Sequence, residues 1–258
     1  MRITTLIVIA VILIAIIGVA IVIELAPMYQ SSKKVLRVGT SPDFPPFEYI
    51  DNKTGEVVGI DIDLVKALAK KLGYDVQIIQ MDFDGLIPAL INKQIDIIAS
   101  GMTITNERAQ VVAFTIPYWK SDQAIVVRRG SSFKPMGLDD LVGRTVGVQS
   151  GTTAQDLLQK YVNSTGKQIN IKIYTSYVLA VQDLENGNVD AVVIDSPVAS
   201  MFERIRNVNI TAVIPTNESY GLAVRKEDTA LLNQLNNALK EFLNTTDWQA
   251  ILQKYLGV

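Results

Sequence analysis

From residue 35 onward, short runs of β-branched and aliphatic residues alternate with stretches whose apolar positions recur every three or four residues. That alternation predicts strands joined by crossover helices rather than a bundle or a sandwich. Residues 35–40 predict a strand. Residues 61–72 predict a helix that turns Ile62, Val65, Leu68 and Leu72 inward and stops at Gly73. Another strand is expected over 75–80, a helix over 85–92, and a short apolar strand from Ile95 that delivers the chain into a loop at Gly101. The same order returns with strands at 145–149, 171–174 and 189–194 and helices at 153–162 and 177–186. One stretch repeats in letters: Leu90, Asn92, Ile95 and Asp96 of LINKQID match Leu184, Asn186, Val189 and Asp190 of LENGNVD. Two α/β lobes of similar build are expected.

Between these runs, residues 113–128 read as extended chain, and a strand over 220–224 precedes two C-terminal helices. Leu231, Leu235, Ala238, Leu239 and Phe242 form the apolar stripe of the first helix, and Trp248, Ile251, Leu252 and Tyr255 that of the second. A C-terminal segment that returns to the first lobe makes the chain cross between lobes twice, which defines a hinge and a cleft.

The N-terminus is a different kind of segment. Residues 3–23 carry no charge, and 21 residues at about 1.5 Å each give roughly 31 Å of helix, one bilayer's thickness. A cleaved signal peptide has a shorter apolar stretch and ends in small residues, which ELAPMY does not supply. An uncleaved anchor over residues 1–34 is the expectation, with the folded part outside the cell. Basic residues on the two flanks, Arg2 against Lys33, Lys34 and Arg37, taken alone point the other way. Asn-x-Ser/Thr sequons at Asn52, Asn163, Asn209, Asn217 and Asn244 suit an exposed outer surface.

Composition narrows the chemistry. The 258 residues contain neither Cys nor His, which removes disulfides, thiol nucleophiles, His-based triads and Cys/His zinc sites together. No metal or cofactor is expected. Lys plus Arg number 24 against 26 acids, so there is no chain-wide basic field for nucleic acid and any electrostatic work is local.

Ligands of open α/β sheets bind beyond the carboxyl ends of the strands, which selects five loops: TSPDFPPFEY, QMDFDG, SGMTITNER, QSGTTAQ and DSPVA. SGMTITNER offers the hydroxyls of Ser100, Thr103 and Thr105 and the guanidinium of Arg108, a rigid fork suited to a carboxylate. Pairing of Arg108 with Glu107 is the structural alternative. QSGTTAQ opens a helix, so the amides near Thr152 and Thr153 are unpaired, partly positive donors, whether or not Thr152 is also an ordinary N-cap. Asp195 ends an apolar strand, where a carboxylate needs a cation or several donors, or else caps the helix opened by Pro197. Phe44 and Phe83 offer walls for a flat or aliphatic side chain, and Glu48 offers a charge, while Phe47 reads as core. One lobe thus presents a carboxylate fork and aromatic walls, the other helix-end amides and an acid for an ammonium. A free α-amino acid fits both.

At these loops the sequence resembles the polar amino-acid family of bacterial and archaeal solute-binding proteins, the capture components of ABC importers. The likeness runs over residues 35–258 through DFPPFEY, GIDIDL, MDFDGLIPAL, SGMTITNER, VGVQSGTT and DAVVIDS, and is nearest to arginine- and glutamine-binding members. It implies a type II periplasmic-binding fold: lobe 1 over 35–118 and 220–258, lobe 2 over 123–215, and a two-strand hinge at 118–122 and 216–220. It implies that Arg108, Thr103 and the Thr153 amide hold the ligand α-carboxylate, that Asp195, the Gly101 carbonyl and Thr103 hold the ammonium, and that Phe44 and Phe83 sandwich the side chain. Ser41, Glu48, Ser100, Met102, Gln149 and Thr152 complete the ligand-binding set. Ser41 stands where several glutamine and basic amino-acid binders have an acid, and Gln149 where the glutamine type has lysine. Loss of that lysine, with Glu48 nearby, tilts the reading to arginine, with glutamine or another polar amino acid open. The partners implied are a free L-amino acid, the permease subunits of an importer and the membrane.

Two rival classes remain at this level. Cyclohexadienyl dehydratases and some cell-wall lyases resemble these binders, but their reactions need an acid or base aimed at a leaving group. A strongly raised pKa at Asp195 or Glu48 in a roomy pocket favours that class. A ligand-sensing ectodomain is the third, and the reading leaves it no cytoplasmic portion to carry a signal inward.

Overall fold

The computed structural model describes residues 34–257. The expected membrane anchor lies outside them, and among the described residues no helix is long and apolar enough to cross a membrane.

In chain order the first half contains β1 (Lys34–Thr40), β2 (Asp43–Phe44), β3 (Glu48–Ile50), β4 (Val57–Val58), α1 (Ile60–Leu72), β5 (Tyr74–Gln80), α2 (Leu86–Ile91), β6 (Ile97–Ile98) and β7 (Val112–Phe114). The long β8 (Trp119–Arg128) then leads to β9 (Thr145–Gln149), α3 (Thr153–Thr165), β10 (Asn170–Tyr174), α4 (Tyr177–Asn186), β11 (Ala191–Asp195) and α5 (Ser196–Ile205). The return strand β12 (Val208–Tyr220), β13 (Ala223–Arg225), α6 (Thr229–Phe242) and α7 (Thr246–Leu256) complete the chain.

Two five-stranded sheets result, ordered β5-β1-β6-β13-β7 and β10-β9-β11-β8-β12. Within them β1 and β6 are parallel, as are β9 with β10 and with β11, while β8 and β13 run antiparallel to their neighbours. The parallel strands are bridged by helices on the sheet faces, as βαβ units require. β13, α6 and α7 belong with the first sheet, so the chain leaves that sheet through β8 and returns through β12. The two crossings lie side by side, with Ser121 opposite Glu218, Lys120 opposite Ser219 and Trp119 opposite Tyr220. This mixed α/β arrangement, two sheets joined by two adjacent crossings, has the two-lobed layout expected from the sequence.

The predicted helices form because each presents a consistent apolar face, with Ile62, Leu64, Val65, Leu68 and Ala69 of α1 and Leu235, Ala238 and Leu239 of α6 buried. Gly73, Gly166 and Gly187 end α1, α3 and α4 in the left-handed region that glycine enters without steric cost.

Two features were not predicted. The segment around DFPPFEY folds into a small antiparallel sheet, β2-β3-β4, whose strands are only two or three residues long. β12 runs for 13 residues through Pro215 and Asn217. It can do so because it is the edge strand of its sheet, where a missing N–H costs no ladder bond. Its register shifts between Ile214 and Glu218, where Asn217 takes a φ of 53° and the Asp122 carboxylate accepts the Thr216 and Asn217 amides, each at 2.8 Å. The strand expected from Ile95 shortens to β6, and the expected 220–224 strand divides between the end of β12 and β13.

Candidate functional site

A small, largely enclosed cavity lies between the two sheets at the carboxyl ends of their parallel strands. The first lobe lines it with Asp43, Phe44, Glu48, Phe83, Gly101, Thr103 and Arg108, and the second with Gln149, Thr152, Thr153 and Asp195. Ten of the thirteen residues singled out in the sequence meet around this one space.

Ser41, Ser100 and Met102 stand behind the wall. The Ser41 hydroxyl donates to Asp43 Oδ1 at 3.1 Å, and the Ser41 amide donates to Ser100 Oγ at 3.0 Å. Ser100 in turn donates to Glu48 Oε1 at 3.0 Å. These serines therefore orient acids. Met102 is buried in a small cluster with Leu86 and Ile98, because alternation along the loop turns its side chain away from that of Thr103. Phe47 is fully buried core, as its sequence reading had it.

Arg108 opens a short 3-10 turn, Arg108–Gln110, and pairs with no acid of its own helix. Its Nη1 donates to the Thr103 carbonyl at 2.8 Å and its Nη2 reaches across the cleft to the Gly151 carbonyl at 2.9 Å. Each terminal nitrogen carries a second N–H. The guanidinium carbon lies 5.4 Å from the Phe83 ring centroid, so Phe83 both walls the cavity and steadies the fork.

Asp195 does not cap α5 with its side chain. Its Oδ1 accepts the Tyr220 hydroxyl at 2.6 Å, and burial beside Glu218 pushes its pKa up to about 7. Gly101 has a φ of 47°, and a Cβ there would stand 2.6 Å from the Phe44 ring. Its amide donates to the buried Asp61 at 2.8 Å, as the Tyr118 hydroxyl does at 2.6 Å. Thr152 caps α3 by accepting from the Gln155 amide, leaving the Thr153 and Ala154 N–H groups without intrahelical partners.

The remaining cavity acids differ in how they are held. Asp43 was missed by sequence reasoning, although it sits inside DFPPFEY. Its Oδ2 accepts Gln149 Nε2 at 2.9 Å and the Tyr177 amide at 2.8 Å, both from the second lobe. An acid of one lobe thus meets the first amide of α4 in the other. Burial raises its pKa to about 6. Glu48 is fully buried, its pKa pushed well above the usual carboxylate range by burial and by Asp61. Its Oε2 has no hydrogen-bond partner among the described residues. Glu218 and Tyr220 were also missed. Glu218 Oε2 accepts both the Thr103 and the Thr153 hydroxyls at 2.8 Å. At the rim, Ser150 Oγ donates to Asp84 Oδ2 at 2.7 Å, another bond across the cleft.

One guanidinium therefore shares a small cavity with three acids, Asp43, Glu48 and Asp195. Among the described residues no group of three or more acidic side chains is arranged to hold a metal ion.

A two-lobed α/β scaffold with a charged, enclosed site between its lobes is the architecture of a periplasmic-type solute-binding protein. Residues 36–258 match the model of the bacterial extracellular solute-binding proteins, family 3, and the chain belongs to that family. It is similar to the arginine-binding periplasmic protein of Mannheimia haemolytica, 34% identical over 84% of this chain and 89% of that one. An ancestral arginine-binding protein solved with arginine bound superposes with a TM-score of 0.82 and 42% identity, covering 87% of this chain and 99% of that one. An ancestral amino acid-binding protein described as a precursor of cyclohexadienyl dehydratase superposes at 0.79 with 37% identity over 86% and 95% of the two chains.

Proposed function

We propose that this protein captures a free basic L-amino acid, arginine, outside the cell and delivers it to an ABC importer. The observation that carries the ligand choice is Glu48, a buried carboxylate on the cavity wall with an unpartnered oxygen. Burial holds Glu48 towards its neutral form, and a cation brought against it favours the carboxylate. In this reading the spare N–H groups of Arg108 and the first-turn amides of α3 take the α-carboxylate, Asp195 takes the ammonium, and the ligand guanidinium reaches Glu48 between Phe44 and Phe83. Ligand charges of one negative and two positive then complement one guanidinium and the acids opposite. The arginine-binding relatives support the same choice.

The crossings of β8 and β12 serve as the hinge, so that ligand contacts with both lobes stabilise the closed form. The apolar residues 3–23 would tether the receptor beside its permease.

A thermal-shift screen of the full-length chain against the common amino acids tests the reading, since a ligand that binds only the folded form raises its melting temperature. L-arginine should give the largest rise. Glu48→Gln should weaken arginine by about a hundredfold or more, the cost of unpairing a buried charge, and weaken glutamine far less. Equal losses for the two ligands would remove the role given to Glu48, and a screen with no responsive amino acid would remove the function.

The dehydratase reading keeps in its favour the raised pKa values of both Asp195 and Glu48. Against it, the Asp195 carboxylate is held by Tyr220 at the amino-acid end of a tight cavity, with no histidine in the chain to assist. Turnover of prephenate or arogenate by the purified protein would reinstate it.

A further inference from the structure

The hinge strand β12 does more than connect the sheets. Its Glu218 and Tyr220, two residues apart, share a face. Tyr220 donates to Asp195, and Glu218 receives the hydroxyl protons of Thr103 from one lobe and Thr153 from the other. Gln123 Nε2 donates to Glu218 Oε1 at 3.1 Å and fixes the carboxylate from behind. The loop bearing Thr103 is laid against the strand by two backbone bonds, Ile104 to the Ser219 carbonyl at 2.8 Å and Gly221 to the Met102 carbonyl at 3.1 Å. The bulge at Asn217 sets the direction in which Glu218 leaves the strand.

A hydroxyl has one proton and two lone pairs, and an ionised carboxylate only accepts. With the Thr103 and Thr153 hydroxyls both donating to Glu218 Oε2, neither can also donate to a ligand carboxylate. Both residues line the cavity, and each hydroxyl oxygen keeps a lone pair to offer, although Thr153 Oγ1 already accepts from Gln123 Nε2 at 3.3 Å. We propose that Glu218 is a positioning residue that turns the Thr103 and Thr153 hydroxyls into acceptors, so that they join Asp195 in selecting a ligand with a free α-ammonium group. The α-carboxylate then falls to Arg108 and the first-turn amides of α3. This rests on the amino-acid-binding reading and assigns its head-group selectivity to a residue outside the cavity wall.

The test compares, on the full-length chain, L-arginine and L-glutamine each with its desamino acid and its decarboxylated amine, by calorimetric titration of wild type and Glu218→Gln. A glutamine amide can donate to the threonine oxygens and release their protons towards the ligand. The preference for amino acid over desamino acid should fall about tenfold to a hundredfold in the variant, while the preference over the decarboxylated amine stays within about threefold. Both preferences falling together, or neither moving, would overturn the proposal. If the variant lacks a cooperative melting transition, Thr103→Val decides the point. It should weaken the amino acid and leave the desamino acid as it was, and a loss on the desamino acid would show that Thr103 donates to carboxylate. A wild type that binds neither amino acid would instead overturn the functional reading beneath the proposal.

Discussion

Asp195 shows how a single residue carries two opposed requirements. It must be charged to hold an ammonium, yet its burial and the nearby Glu218 favour the protonated form and lift its pKa to about 7. Asp43, at about 6, is pushed the same way by burial. A bound cation favours the ionised form, so below pH 7 binding has to expel a proton, and affinity falls as pH falls. The dissociation constant of arginine should rise about tenfold per pH unit between pH 6.5 and 5 for the proton on Asp195. The full rise should be steeper, because Glu48, also raised, has to ionise against the guanidinium. Titration calorimetry in two buffers of different ionisation enthalpy should register proton release over that range. A flat affinity from pH 8 to 5 would contradict the assignment of Asp195 to the ammonium. Much of this chemistry was legible, because Arg108 and Asp195 are residue types that need partners at strand ends. What sequence could not say was which alternative each would take. Arg108 passes over its neighbour Glu107 for two carbonyl oxygens, and Asp195 passes over the helix it precedes for Tyr220, 25 positions away. Those choices are made by tertiary approach. Asp43 and Glu218 were missed for the same reason, since nothing local distinguishes an acid aimed into a cleft from one on a surface.

At the scale of the element, the repeated letters of the two βαβαβ runs turn out to be repeated mechanics. The Asp96 carboxylate accepts the Arg37 amide at 3.1 Å, and the Asp190 carboxylate accepts the Thr145 amide at 2.8 Å. In each lobe this acid ties the turn after the second helix of the βαβαβ run to that run's first strand. An arginine stands by each, with Arg37 2.8 Å from Asp96 and Arg144 3.7 Å from Asp190. The repeat is imperfect at its tightest point. Gly187 has a φ of 79°, and its counterpart Lys93 has a φ of 59°, a conformation a β-carbon makes unfavourable. Lys93→Gly should therefore stabilise the fold by about 0.5–1 kcal/mol, and Gly187→Ala should destabilise it by about 1 kcal/mol, both read by denaturant unfolding. A destabilised Lys93→Gly would mean that the lysine side chain contributes more than its backbone costs. Helix and strand order were readable because apolar spacing records which face is buried. β12 was not, since Pro215 and Asn217 signal a turn and only an edge position with a bulge lets them lie within a strand.

Taken whole, the molecule closes through bonds of its own as well as through its ligand. Gln149 and the Tyr177 amide meet Asp43, Arg108 meets the Gly151 carbonyl, and Ser150 meets Asp84 at the exposed rim. The rim contact touches no part of the cavity, so its loss should act on closure alone. Asp84→Ala is expected to weaken all bound amino acids by one common factor of about two- to tenfold, the worth of one hydrogen bond. Stopped-flow dissociation should place that change mainly in the off-rate. A factor that differed between arginine and glutamine would show that Asp84 takes part in recognition.

The enclosure of the cavity has a kinetic corollary. A solute walled in from both sides departs no faster than its container unseals, however weak its individual contacts become. Residence time is then governed at the seam between the halves and along β8 and β12, and a permease that prises the halves apart would empty the carrier without competing for a single atom of the cargo.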